Sequence, residues 1–229
     1  IEYHCDPAAP IDAVLEPLAA LRRAPPALVG PVRRLDSWGA TLALAAHAGG
    51  ERERPCEIVT PPLSADHREA LDALLRPARE LGFTVPKEAA VHLHVDGAAY
   101  REPAALANLV RLFGYWREEL RELLGTNPEC KRLKPLPDEL LAVVAGTPTY
   151  DELRDAAKQG GLTKFFDVNL TQLLRADPIR DTVEIRILPG SIDADEVVEK
   201  AALVERLLER CLDPVPIPAD GWDDLLRDR

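Results

Sequence analysis

The chain has 229 residues, 46% of them hydrophobic, with a formal net charge of −11 and a pI near 5.0, enough for a real core in one large domain or two small ones. Arg, Glu, Asp or Pro interrupts every apolar run before it reaches the length a bilayer needs, so a membrane span is excluded. The acidic balance argues against a nucleic-acid partner, because affinity for a phosphate backbone needs a basic face.

In chain order, Ile1 to Cys5 reads as the end of a strand with Glu2 and His4 on one face. Val14, Leu15, Leu18 and Leu21 predict a helix over Asp12 to Arg23, stopped by Pro25-Pro26. A weakly alternating strand follows over 36–46, and a charged turn leads to a short strand, Cys56-Glu57-Ile58-Val59, ended by Pro61-Pro62. Ser64 stands where an N-cap belongs, before a helix that reaches Leu81 with Leu71, Leu74, Leu75 and Ala78 on its inner face.

The stretch that organises the chain comes next. Val91-His92-Leu93-His94-Val95-Asp96 alternates strictly, so a strand here puts His92, His94 and Asp96 on one face and sends Val91, Leu93 and Val95 into the core. The longest helix is expected from Glu102 to about Leu124, and residues 125–137 form a basic, proline-bearing loop with Lys131, Arg132 and Lys134. Asp138 to Ala145 and Tyr150 to Lys158 read as short helices, and 164–170 as a strand. Thr182 to Leu188 is a second alternating strand, with Glu184 and Arg186 facing together while Val183, Ile185 and Ile187 turn inward. A final amphipathic helix runs from Asp193 or Ala194 to about Leu212, and the tail carries Pro, Asp and Trp222.

This order lacks a βαβ rhythm and predicts an α+β fold: a mainly antiparallel sheet with helices packed on one side. A single domain over 1–213 and a tail over 214–229 are the expected organisation. No internal repeat, GxGxxG fingerprint or P-loop is present. Cys5, Cys56, Cys130 and Cys211 make no Cys-x-x-Cys pair, which removes zinc ribbons and redox motifs and leaves reduced thiols in a cytoplasmic protein as the simplest reading. The chain contains no Met, so further residues are expected ahead of Ile1.

A lone strand His is more often a satisfied side chain than a ligand, but His92 and His94 together offer two-point ligation, and Asp96 extends the row. No His follows His94, so a His-rich binuclear zinc site of the metallo-β-lactamase kind, or a cupin site, cannot be completed. The remaining ligand candidates are carboxylates, which favours Mg²⁺ or Mn²⁺. Glu184 and Arg186 read as an ordinary charge pair or as a pair that serves a ligand.

His92-Leu93-His94-Val95-Asp96, Asn108-Leu109-Val110 in the long helix, Lys164 with Asn169-Leu170, and the run Thr182 to Asp193 together resemble the amidoligase family. It belongs to the carboxylate–amine ligase superfamily of glutamine synthetase and glutamate–cysteine ligase. Glu57-Ile58-Val59-Thr60-Pro61-Pro62-Leu63 is similar to that family's Glu-Leu-Val-Ser-Pro-Pro-Leu segment, and the likeness runs from about Cys56 to Leu212. The opening departs from the family's Gly-x-Glu-x-Glu: either Glu2 is the second of its acids or His4 replaces that acid.

The resemblance implies a glutamine synthetase-like antiparallel sheet whose concave face holds ATP and divalent cations, Mg²⁺ or Mn²⁺. Carried over, Glu2, Glu57, His92 and Glu184 become metal ligands with His94 nearby, and Arg186 clamps the transferred phosphoryl group. Lys164 and Arg132 become phosphate or substrate contacts. The implied reaction joins a carboxylate to an amine through an acyl phosphate, on a small amino acid, a polyamine or a peptide. Glu2 and Asp96 both stand as candidates for the base. A metal-dependent hydrolase, and a catalytically inactive member that binds a peptide or protein, remain the other readings. The oligomeric state is left open.

Overall fold

The alternation read for the N-terminal third becomes an antiparallel sheet in the computed structural model. Its described residues are 2–5, 16, 19–20, 27–29, 32–37, 40–45, 54–85, 89–130, 133–175, 177–178 and 181–227. Strands β1 (Glu2–Cys5), β2 (Ala27–Val29), β3 (Val32–Ser37), β4 (Ala40–Ala45) and β5 (Arg54–Val59) line up in the order β1-β5-β4-β3-β2. The single strand expected over 36–46 is thus the second arm of a hairpin, with Ser37 opposite Ala40 and Val32 opposite Ala45. The first arm, Val32–Ser37, carries no clear alternation, because two charged residues, Arg33 and Arg34, follow one another. Most of the helix expected over Asp12 to Arg23 lies outside the described residues.

Helix α1 (His67–Glu80) buries Leu71, Leu74, Leu75 and Ala78, the inner face expected from the sequence. It begins later than expected. Asp66, not Ser64, occupies the N-cap, in a left-handed conformation (φ 52°, ψ 38°) that Asp tolerates better than most residues. These elements belong to one of two compact units, residues 1–91 with 190–199; the other comprises 92–189 with 200–229.

The second unit holds a smaller sheet in the order β6-β8-β7, from β6 (Ala90–Asp96), β7 (Val168–Asn169) and β8 (Thr182–Pro189). The strand expected over 164–170 shrinks to Val168–Asn169, antiparallel to β8. Val168, Val183, Ile185 and Ile187 are buried, as are Leu106, Leu109, Val110 and Phe113 of helix α2 (Pro103–Tyr115). Each fully buried aliphatic side chain contributes about 1.5–3 kcal/mol. Pro103 opens α2 at its first turn, where a missing N–H costs nothing.

The long helix breaks at Trp116, and α3 (Arg117–Leu124) continues to Gly125, whose φ of 68° supplies the left-handed stop. Helices α4 (Asp138–Val144) and α5 (Tyr150–Gln159) fall where expected, α5 opened by a capping box between Thr149 and Glu152. Helix α6 (Ala194–Cys211) and a short α7 (Trp222–Arg227) complete the chain. The tail packs: Ile217 is buried, Trp116 donates its indole N–H to the Pro218 carbonyl, and its ring lies 5.4 Å from that of Trp222. The fold is therefore α+β. Among the described residues, no helix is long and apolar enough to cross a membrane.

Candidate functional site

The polar face of the small sheet is built by period-2 strands. In β8, Ile185 and Ile187 anchor one face in the core, which holds Glu184 and Arg186 on the other. The β7–β8 register sets Asn169 opposite Glu184 and Val168 opposite Ile185, so Asn169 shares the Glu184 face. From β6, His92 Nδ1 comes within 3.3 Å and His94 Nε2 within 3.9 Å of Glu184 Oε1.

Glu184 is surrounded by donors. Arg186 Nη1 donates to its Oε1 at 2.5 Å, and Asn169 Nδ2 donates to its Oε2 at 2.7 Å. Burial alone would push its carboxyl up, but the Asn169 hydrogen bond and the Arg186 charge outweigh burial and hold it below the usual carboxylate range. His92 is also shifted down, with the opposite consequence for its charge. Burial, reinforced by the Arg186 cation and only partly offset by Glu184, lowers it to about 3, so the imidazole is neutral at neutral pH. Arg186 is 6% exposed, and its Nε has no hydrogen-bond partner among the described residues. Its backbone N–H is fixed on the Asp167 carbonyl at 3.0 Å, and the Asp167 carboxylate in turn binds Arg117 Nε at 2.5 Å.

Among the described residues, no three His, Cys, Asp or Glu side chains gather into a group able to hold a metal by themselves. Glu184 and His92 nonetheless stand in the protonation states a cation requires, one ionised and one neutral. A structural or catalytic zinc wants three or four protein ligands. Mg²⁺ is content with one or two carboxylates and fills its shell with phosphate oxygens and water, so this partial donor set fits Mg²⁺ better.

The residues singled out in the sequence fall into two sets. His92, His94, Glu184 and Arg186 converge in the second unit. Glu2 and Glu57 are register partners on β1 and β5 in the first unit, two acidic residues at one position of the sheet, with Glu57 exposed. Lys164 is exposed and its ammonium lies 5.2 Å from the Phe165 ring centroid, engaged with its chain neighbour. Asp96 is exposed and accepts the Ala98 N–H at 3.0 Å, a local cap for the turn that follows. Arg132 lies outside the described residues.

Two participants carry no role in the sequence reading. Asn169 was visible only as part of a family-like segment, and its partner is set by strand register, which local pattern does not reveal. Asp167 gave no signal, since its environment depends on α3 packing against the sheet.

A family model described as putative amidoligase enzyme matches residues 34–208. No match is found among curated proteins or among solved structures.

Proposed function

The chain belongs to the putative amidoligase enzyme family, and from that premise we propose that it is an ATP-dependent ligase that joins a carboxylate to an amine through an acyl phosphate. The observation that carries this reading is Arg186: a nearly buried guanidinium with an unpartnered Nε, held on a strand beside an ionised carboxylate and two imidazoles. A buried unsatisfied donor costs about 1–3 kcal/mol. An anionic ligand with oxygens in the guanidinium plane repays that cost.

Amide formation from a free carboxylate is uphill because hydroxide is a poor leaving group, and phosphorylation solves the problem. A carboxylate oxygen of the substrate attacks the γ-phosphorus, the bond to the bridging oxygen breaks and ADP departs. The amine then attacks the acyl carbon, losing a proton to a base, and inorganic phosphate leaves. In this scheme Arg186 stabilises the equatorial oxygens of the moving phosphoryl group, because its position is fixed before the charge develops. Glu184 orients Arg186 through their 2.5 Å contact. Neutral His92 offers a lone pair without adding positive charge. Mg²⁺, when bound by Glu184 and His92, supplies charge neutralisation at the phosphates.

The test is calorimetric titration of the protein with a non-hydrolysable ATP analogue plus Mg²⁺, beside Arg186→Ala and Glu184→Gln variants. Metal-dependent binding in the parent, weakened about tenfold or more in both variants, supports the reading, and a screen of carboxylate and amine pairs for ADP release follows. No binding at millimolar analogue sinks it. Tight Zn²⁺ binding without any nucleotide effect would turn the assignment towards a hydrolase.

A further inference from the structure

We propose that Asn169 is a positioning residue for this site: clamped by Thr171, it presents an obligatory donor that fixes the rotation of the Glu184 carboxylate and so aims Oε1 at Arg186 and His92. The inference rests on the ligase reading for its consequence but on geometry for its content.

Asn169 is 9% exposed, and both ends of its amide are spoken for. Its Oδ1 accepts two hydrogen bonds from one residue, the Thr171 N–H at 3.0 Å and the Thr171 hydroxyl at 2.6 Å. Flipping the amide would bring its NH₂ group against the Thr171 N–H, donor against donor, and its oxygen against the carboxylate, acceptor against acceptor. Only one orientation satisfies the site, and it directs Nδ2 to Glu184 Oε2 at 2.7 Å.

The second oxygen of Glu184 is thereby committed to Asn169, leaving Oε1 on the side of Arg186 Nη1 at 2.5 Å and His92 Nδ1 at 3.3 Å. The Asn169 backbone cannot drift, because it is the register partner of Glu184 and its neighbour Val168 is fully buried opposite Ile185. An Asx-type turn onto Thr171 thus passes a fixed orientation from a chain turn to a carboxylate across the sheet. Asp at this position would set two carboxylates against each other. Ala would leave Glu184 free to rotate.

Two experiments separate this proposal from the ligase reading. The first needs no ligand: ¹H–¹⁵N spectra of the parent are expected to show the two Asn169 side-chain amide protons well separated and slow to exchange, collapsing towards ordinary exposed-amide positions in Glu184→Ala. Resonances that do not change in that variant overturn the proposal, whatever the protein binds. The second measures affinity for the ATP analogue with Mg²⁺. Asn169→Ala is expected to lose about tenfold or more in affinity while remaining folded, and Asn169→Asp to lose more. The double exchange Asn169→Asp with Glu184→Gln reverses donor and acceptor. It should recover the Tm of Asn169→Asp without recovering binding. Recovery of both would show that the Glu184 charge is not needed for binding and would count against the role given to it in the ligase reading, whereas parent-like binding by Asn169→Ala would refute positioning. An absence of binding by the parent refutes the ligase reading alone and leaves the spectroscopic arm to judge Asn169.

Discussion

Arg111 and Arg186 are each 6% exposed, yet their guanidinium groups are partnered differently. Every nitrogen of the Arg111 group is used: Nε on the Val144 carbonyl at 2.9 Å, Nη1 on Asn108 Oδ1 at 2.9 Å, and Nη2 on the Gly146 carbonyl at 2.7 Å. Asn108 completes the network, donating to the Asp213 and Val215 carbonyls and accepting the Ile217 N–H. The Arg111 cation also sits at the C-terminal end of α4, where carbonyl oxygens point outward and favour positive charge. Arg186 instead shares one carboxylate with two imidazoles and leaves Nε unpartnered among the described residues. A satisfied buried network fixes structure, whereas an unsatisfied one of equal burial is free to receive a ligand.

Breaking the satisfied network should have the largest effect on stability. Arg111→Met removes the donor from two helix-end carbonyls and from Asn108, and is expected to cost about 3–5 kcal/mol in urea unfolding. Asn108→Ala should cost nearly as much, since it also releases the chain over 213–217. A loss below about 1 kcal/mol for Arg111→Met would contradict the comparison.

His92 offers a second way to sharpen it, through pH. Its folded pKa is about 3, below the 6.5 of an ordinary imidazole, so the unfolded chain binds the extra proton across that interval. The stabilisation from keeping His92 neutral is full above about pH 6.5 and is lost as pH falls towards 3, at up to about 1.4 kcal/mol per pH unit. Metal-free His92→Asn lacks this group and should show a slope shallower than the parent by about 1 kcal/mol per unit between pH 6 and 4. Equal slopes would show that His92 is not buried as described.

The tail is expected to give a smaller effect. Trp222→Ala removes a ring tilted by 35° against Trp116, and about 1–2 kcal/mol should be lost together with a change in tryptophan fluorescence. An unchanged emission spectrum would mean that the ring pair does not form.

The contrast between the two arginines was only half legible in the sequence. Glu184 and Arg186 stood out because two charges interrupt a strand whose other face, Val183, Ile185 and Ile187, is apolar, and the period-2 rule puts them together without further information. Asn108 and Arg111 gave an equivalent signal, two polar residues three apart amid the apolar positions of a helix, but their partners lie in the α4 terminus and in the tail. Likewise the apolar periodicity runs unbroken from Leu106 to Leu123, and the break at Trp116 coincides with contacts to Pro218 and Trp222. Local pattern reports which residues share a face; it does not report what arrives from a hundred residues away. The Asn169–Glu184 pair belongs to the same class, since a two-residue strand carries too little alternation to announce its register.

Arg186 itself is expected to show a different balance of stability and binding from Arg111. Replacing it with Met keeps a long stem in the space of the guanidinium side chain and removes a buried donor that has no partner among the described residues. Against that gain stands the loss of the 2.5 Å bond to Glu184, whose carboxylate keeps Asn169 as a donor at 2.7 Å. The two terms oppose each other, so Arg186→Met should lose less unfolding free energy than Arg111→Met, although the carboxylate it leaves behind still carries a cost. The same Arg186 variant should nevertheless lose Mg²⁺-dependent binding of the ATP analogue. A large stability loss with binding retained would place Arg186 beside Arg111 as a structural residue, and would move the search for the anion-binding group elsewhere in the chain.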